Sequence, residues 1–166
     1  MSLITSTFVV AVHDEILKET SVGREGCHYD KLEGVLSRID QQMYYNHVHD
    51  LFEIAAWYGI AIAKGHAFVD GNKRTGLATM LTFLEIQGVS IQDHTGLDDL
   101  VVDIVDSQDD YELLLLRVSV FLYVLFESYS LFVPGNTGIT TIGVSIYCFA
   151  FKVDLVLHSA TLISCV

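Results

Sequence analysis

A single proline, Pro134, occurs in the 166 residues of this chain. The first 133 residues therefore contain nothing that removes a backbone donor or forces a helix to kink, and apolar and polar residues alternate through them at helical spacing. That combination predicts an all-α bundle. The hydrophobic share is 51%, enough for one domain with a sizeable core.

Four helices read clearly in the first 88 residues. "STFVVAVHDEILKET" carries Val9, Val12, Ile16 and Leu17 on one face, and "GREG" then breaks the pattern. "YDKLEGVLSRIDQQMYY" places Leu32, Val35, Leu36 and Ile39 together, with Asp30 as the expected cap and Glu33 three residues on. "QQMYYNHVH" is poorly periodic and reads as a connecting loop or short flap. The third helix starts at Asp50, a good N-cap followed by Glu53, and Gly65 is expected to stop it. Its Ala56, Gly59, Ala61 and Ala63 permit close packing. The fourth runs through Leu77, Met80, Leu81 and Leu84 to Gly88. A further helix is expected with Asp98 and Asp99 near its positive N-terminal end, and "YELLLLRVSVFLYVLFE" is one more, apolar nearly all round.

The end of the chain differs. No charged residue lies between Ser128 and Phe151, and "GVSIYCFAFKVDLVL" alternates with β-branched residues, which favours a strand or hairpin. Glycines interrupt the stretch and no basic cluster flanks it, so a transmembrane helix is not expected. The expected organisation is a catalytic domain over 1–126 and an apolar extension of unassigned role over 127–166.

Charge and cysteine usage exclude whole classes of function. The formal net charge of −12 leaves no electrostatic footprint for a nucleic-acid backbone. Cys27, Cys148 and Cys165 are odd in number, widely spaced and without a CxxC pair, so neither a disulfide framework nor a zinc ribbon is supported. The N-terminus has no positive n-region, and a cytoplasmic location is expected.

"HAFVDGNKRT", residues 66–75, is the one polar interruption between two apolar helices. A helix starting at Gly71–Asn72 would present unsatisfied N–H groups and a partial positive charge, a ready anion site. Lys73 and Arg74 add full charges that oppose the helix dipole unless an anion is bound, and Arg offers a planar fork for phosphate oxygens. Asp70 is a hard oxygen ligand beside that site, suited to Mg²⁺ held against nucleotide phosphates. His66 is an imidazole four residues upstream, able to take a proton from a hydroxyl. Phe68 and Val69 are the expected apolar anchors of the loop. Taken singly, each of these residues has an ordinary structural explanation; the convergence of five polar residue types at one helix start carries the reading.

The stretch resembles the signature of the Fic/Doc family, His-x-Phe-x-Asp/Glu-Gly/Ala-Asn-Gly/Lys-Arg. His66, Phe68, Asp70, Gly71, Asn72 and Arg74 all match, and "VHDEIL", "DLFEIAAWYGIAIAKG" and "TFLEIQGVSI" extend the likeness toward the Doc (death-on-curing) branch, over roughly residues 8–126. The resemblance implies a helical Fic/Doc bundle with a short flap near Gln41–His49 that docks a target segment. It implies ATP and Mg²⁺ as cofactors, His66 as the base, Asp70 as metal ligand or target-orienting group, and Gly71, Asn72, Lys73 and Arg74 as phosphate ligands. Lys73 stands where AMP-transferring members have Gly, and this points to transfer of the γ-phosphoryl group. Gly71, where the Doc branch has Ala, leans toward the AMP-transferring pattern. The implied function is a toxin kinase acting on elongation factor Tu and restrained by a Phd-like antitoxin. An AMP transferase and a non-catalytic peptide- or nucleotide-binding module are the alternatives. "SVGREG", Ser21–Gly26, fits the spacing of an inhibitory motif found in some relatives, but its place after the first helix argues for coincidence.

Overall fold

The computed structural model describes residues 4–20, 23–91, 96–97, 99–100, 107 and 110–130. These lie within a compact unit spanning Met1–Leu131. The expected β structure beyond Phe132 lies outside the described residues.

Five long helices are present among the described residues: α1 (Ser6–Thr20), α2 (Tyr29–Tyr45), α3 (Leu51–Gly65), α4 (Asn72–Ile86) and α5 (Tyr111–Ser130). Among the described residues the all-α fold expected from the sequence is the fold observed. Leu97, Asp99 and Leu100 are also helical, in the region where a further helix is expected. No helix among the described residues is long and apolar enough to cross a membrane.

α3 is the central element. It packs against α4, α5 and α2, while α1 lies against α4 and α2. Its small residues explain this position. A Cβ on Gly76 of α4 would come within 2.6 Å of the Gly59 carbonyl oxygen, and one on Gly59 within 2.8 Å of Met80 Sδ. The α3 and α4 backbones therefore approach too closely there for a side chain on Gly76, and their shared joint is the polar decapeptide. Tyr58 and Phe83, both fully buried, meet across this interface with ring centroids 5.3 Å apart. α5 buries Leu114, Leu115, Val118 and Leu122 on one side, while the apolar Leu113 and Val124 stay exposed on another, in keeping with a helix apolar nearly all round.

Both ends of α2 and the cap of α3 differ from the sequence expectation, although α3 does end at Gly65. α2 is entered from His28, and Asp30 sits inside its first turn, where a carboxylate interacts with the dipole without capping. α2 also runs on through Tyr45, because the half-buried Met43 continues its packed face; only residues 46–50 remain as a connection to α3. The expected flap is therefore shorter, and Gln41–Tyr45 are helical. The left-handed residue that ends α3 is His66 (φ 47°, ψ 41°), not Gly65. Gly65 is needed for another reason: a Cβ there would lie 2.7 Å from Val35 Cγ2 of α2. The Asp50 cap is as expected, its carboxylate accepting the Glu53 N–H at 2.9 Å.

Candidate active site

The loop between α3 and α4 is held from three sides. Its own sequence supplies the first brace. Asn72, the first residue of α4, reaches back so that its Oδ1 accepts the Phe68 N–H at 2.9 Å and its Nδ2 donates to the Phe68 carbonyl at 2.7 Å. One side chain thus satisfies both main-chain groups of Phe68, much as a strand partner would. The second brace is the segment before α2. Cys27 and Phe68 form an isolated antiparallel bridge, with His28 N–H donating to Ala67 O at 2.7 Å and Val69 N–H to Gly26 O at 3.1 Å. The third is Phe68 itself, 3% exposed, whose burial contributes on the order of 2 kcal/mol. Val69, expected as a second anchor, is 52% exposed. Successive side chains in an extended pair point to opposite faces, so only one of the two neighbours can face the core.

This scaffold leaves the chemical groups outward. His66 is exposed, held in the left-handed region that a non-glycine residue adopts only where its surroundings impose it. Asp70 is exposed too, with Oδ1 accepting the Gly71 N–H at 2.6 Å. Gly71 occupies the N-cap of α4 with φ 76° and, lacking a side chain, leaves the first-turn N–H groups without a side-chain cap. The first turn of α4 contains no carboxylate, whereas α2, α3 and α5 each carry one there. Lys73 and Arg74, both half-buried, stand in its place. Cations at the positive end of a helix are unfavourable unless an anion joins them.

Two groups near the loop were not singled out from sequence. His13, on α1, is 2% exposed and lies directly behind the loop, its Nε2 3.1 Å from the Asp70 carbonyl oxygen. Its place on the buried face of α1 four residues after Val9 was the available signal. Cys27 is half-buried, and burial together with the Asp14 charge pushes its thiol up, which keeps it protonated and a poor nucleophile.

All six expected site residues, His66, Asp70, Gly71, Asn72, Lys73 and Arg74, fall on this loop and the α4 start. Asn72 has both polar atoms of its side chain committed to the loop's own backbone, and Asp70 has its Oδ1. The arrangement suits a bound polyphosphate: a helix start without a side-chain cap, two cations and an adjacent carboxylate.

Residues 3–84 match the sequence model of the Fic/DOC family, a span that contains the site, α1, α2, α3 and all but the last two residues of α4. Over 72 residues the chain is 42% identical to the protein kinase Doc of Escherichia phage P1, a stretch covering 43% of this chain and 57% of that relative. The alignment thus spans little more than half of the relative's length.

Proposed function

We propose that this protein is a Doc-like toxin of a toxin–antitoxin pair that transfers the γ-phosphoryl group of ATP to a hydroxyl of a target protein, elongation factor Tu. The observation that carries the reading is the start of α4: an uncapped helix N-terminus, no carboxylate in its first turn, Lys73 and Arg74 in that turn, and Asp70 just before it. The similarity to a kinase named Doc agrees with it.

ATP would supply the phosphoryl group and Mg²⁺ would neutralise its phosphate oxygens. The α4 main-chain N–H groups, Lys73 and Arg74 bind phosphates. Gly71 lets the backbone approach them, and Asn72 contributes its N–H while its side chain holds the loop. Asp70 offers its carboxylate to the metal. His66 takes the proton of the target hydroxyl as the new O–P bond forms and ADP leaves, a role typically worth about 10²- to 10⁴-fold in rate. A Phd-like antitoxin, supplying an amphipathic segment, is the proposed restraint in a cytoplasmic setting.

The second reading, AMP transfer, is favoured by Gly71 in place of the Ala of the Doc branch. ATP labelled at the α- or the γ-phosphate, incubated with the protein, Mg²⁺ and elongation factor Tu, separates the two. Label only from the γ-position supports the kinase; label from the α-position establishes AMP transfer and overturns the argument from Lys73. His66→Ala is expected to abolish labelling while ATP still binds. Absence of label from both positions, with a folded protein and a panel of lysate proteins as targets, would refute both enzymatic readings.

A further inference from the structure

α1 buries only two side chains among its described residues, Val9 and His13. A histidine in a core position is costly unless its nitrogens are paired. His13 Nε2 lies 3.1 Å from the main-chain oxygen of Asp70, fifty-seven residues away. A carbonyl can only accept, so Nε2 carries the proton and donates. Nδ1 faces Asp14 Oδ1 at 3.4 Å. The ring stacks on Phe68 with centroids 4.0 Å apart and planes 11° apart. Its edge also meets residue 71, where a Cβ would sit 3.5 Å from His13 Cδ2.

These contacts fall on one mechanical weak point. The peptide plane between Asp70 and Gly71 is a rigid unit whose C=O and N–H point in opposite directions. On one side its oxygen accepts from His13. On the other its N–H donates to Asp70 Oδ1 at 2.6 Å, and so orients the carboxylate. Glycine at 71, free to change φ, is the residue type that lets such a plane flip. A flip would turn the carbonyl outward, toward the place proposed for phosphates, and release the Asp70 side chain.

We propose that His13 is a positioning residue of this site: its Nε2–H pins the Asp70–Gly71 peptide so that the Asp70 carboxylate and the N-terminus of α4 are presented together. The inference deepens the proposed phosphotransfer and rests on it for its catalytic consequence, though not for the loop geometry itself.

His13→Phe keeps a flat ring against Phe68 and removes the donor; His13→Gln removes the ring and keeps a side-chain N–H. Hydrogen–deuterium exchange of peptides covering residues 66–74, α2 and α5 is measured on the full chain beside the transfer kinetics. His13→Phe is expected to speed exchange in 66–74 and to lower kcat, each by about tenfold or more, with KM for ATP changing by less than about threefold. α2 and α5 should keep wild-type exchange, and His13→Gln should recover most of both losses. Unchanged loop exchange in His13→Phe, equal acceleration in α2 and α5, or a Gln variant no better than Phe would each overturn the proposal. Should His13→Phe fail to fold, His13→Gln decides alone, with wild-type loop exchange as support and a loosened loop as refutation. Absence of transfer in the wild type would remove the kinase reading while the exchange data still decided the role of His13.

Discussion

Asn72→Ala tests the internal brace of the site. The substitution removes both hydrogen bonds to Phe68, those of 2.9 and 2.7 Å, and leaves the main-chain groups of a buried residue with fewer partners. At about 1 kcal/mol net for each bond, less a few tenths returned by the better helix propensity of Ala, the expected loss is about 1.5 kcal/mol. With a urea slope of about 2 kcal/mol/M for a domain of this size, the midpoint should fall by about 0.8 M. Asn72→Asp separates the two bonds. It keeps the acceptor for the Phe68 N–H and replaces the donor with a second oxygen facing the Phe68 carbonyl. A carboxylate at this helix end recovers about 0.3–1 kcal/mol, so the Asp variant should unfold between wild type and Ala. Far-UV circular dichroism in a urea titration reads all three. An Ala midpoint within about 0.2 M of wild type, given the slope above, would show that the loop is held without Asn72 and that the bridging reading is wrong.

Three further outcomes follow from the geometry. Gly71→Ala meets only ordinary contact with His13, but its φ of 76° is unfavourable for a residue with a Cβ, so a loss of about 1 kcal/mol is expected in the same titration. Gly76→Leu forces apart two helices at a point where a Cβ alone would lie 2.6 Å from the Gly59 carbonyl oxygen, and is expected to cost more than about 3 kcal/mol; a cooperative wild-type-like transition would show that the α3–α4 approach is looser than described. Burial pushes the Tyr111 phenol from 10.0 up to about 12, with Arg38 acting weakly the other way. A raised folded value means that the native state holds this proton more tightly, so its contribution is whole below pH 10.0 and is lost as pH rises toward 12. Tyr111→Phe should flatten that alkaline loss by at most about 2 kcal/mol, read from urea midpoints on either side of pH 10.0.

Helices are local objects, and this is why so much of them was legible. Hydrogen bonds four residues apart and a repeating apolar face announce α1 to α4 in the sequence, and Asp50 caps α3 from only three residues away. The decapeptide was legible for the same reason: its residues are contiguous, and their clustering needs no tertiary contact to be seen. The ends of α2 were less so. Whether Gln41–Tyr45 coil or wind depends on Met43 finding a place against other helices, which no periodicity within the segment reports.

What holds the loop was decided by packing between distant parts of the chain. Composition and spacing alone established an acidic, proline-poor, helical domain with one polar joint. Only the folded molecule set Gly26–His28 against Ala67–Val69, turned Phe68 inward and Val69 outward, and made His66 the left-handed end of α3. Asn72 reads from sequence as a cap or a ligand, yet the backbone it satisfies is that of Phe68, because the turn at Gly71 folds the chain back on itself. His13 became part of the site when α1 packed against the start of α4; a side chain fifty-seven residues from its partner carries no local sign of that meeting.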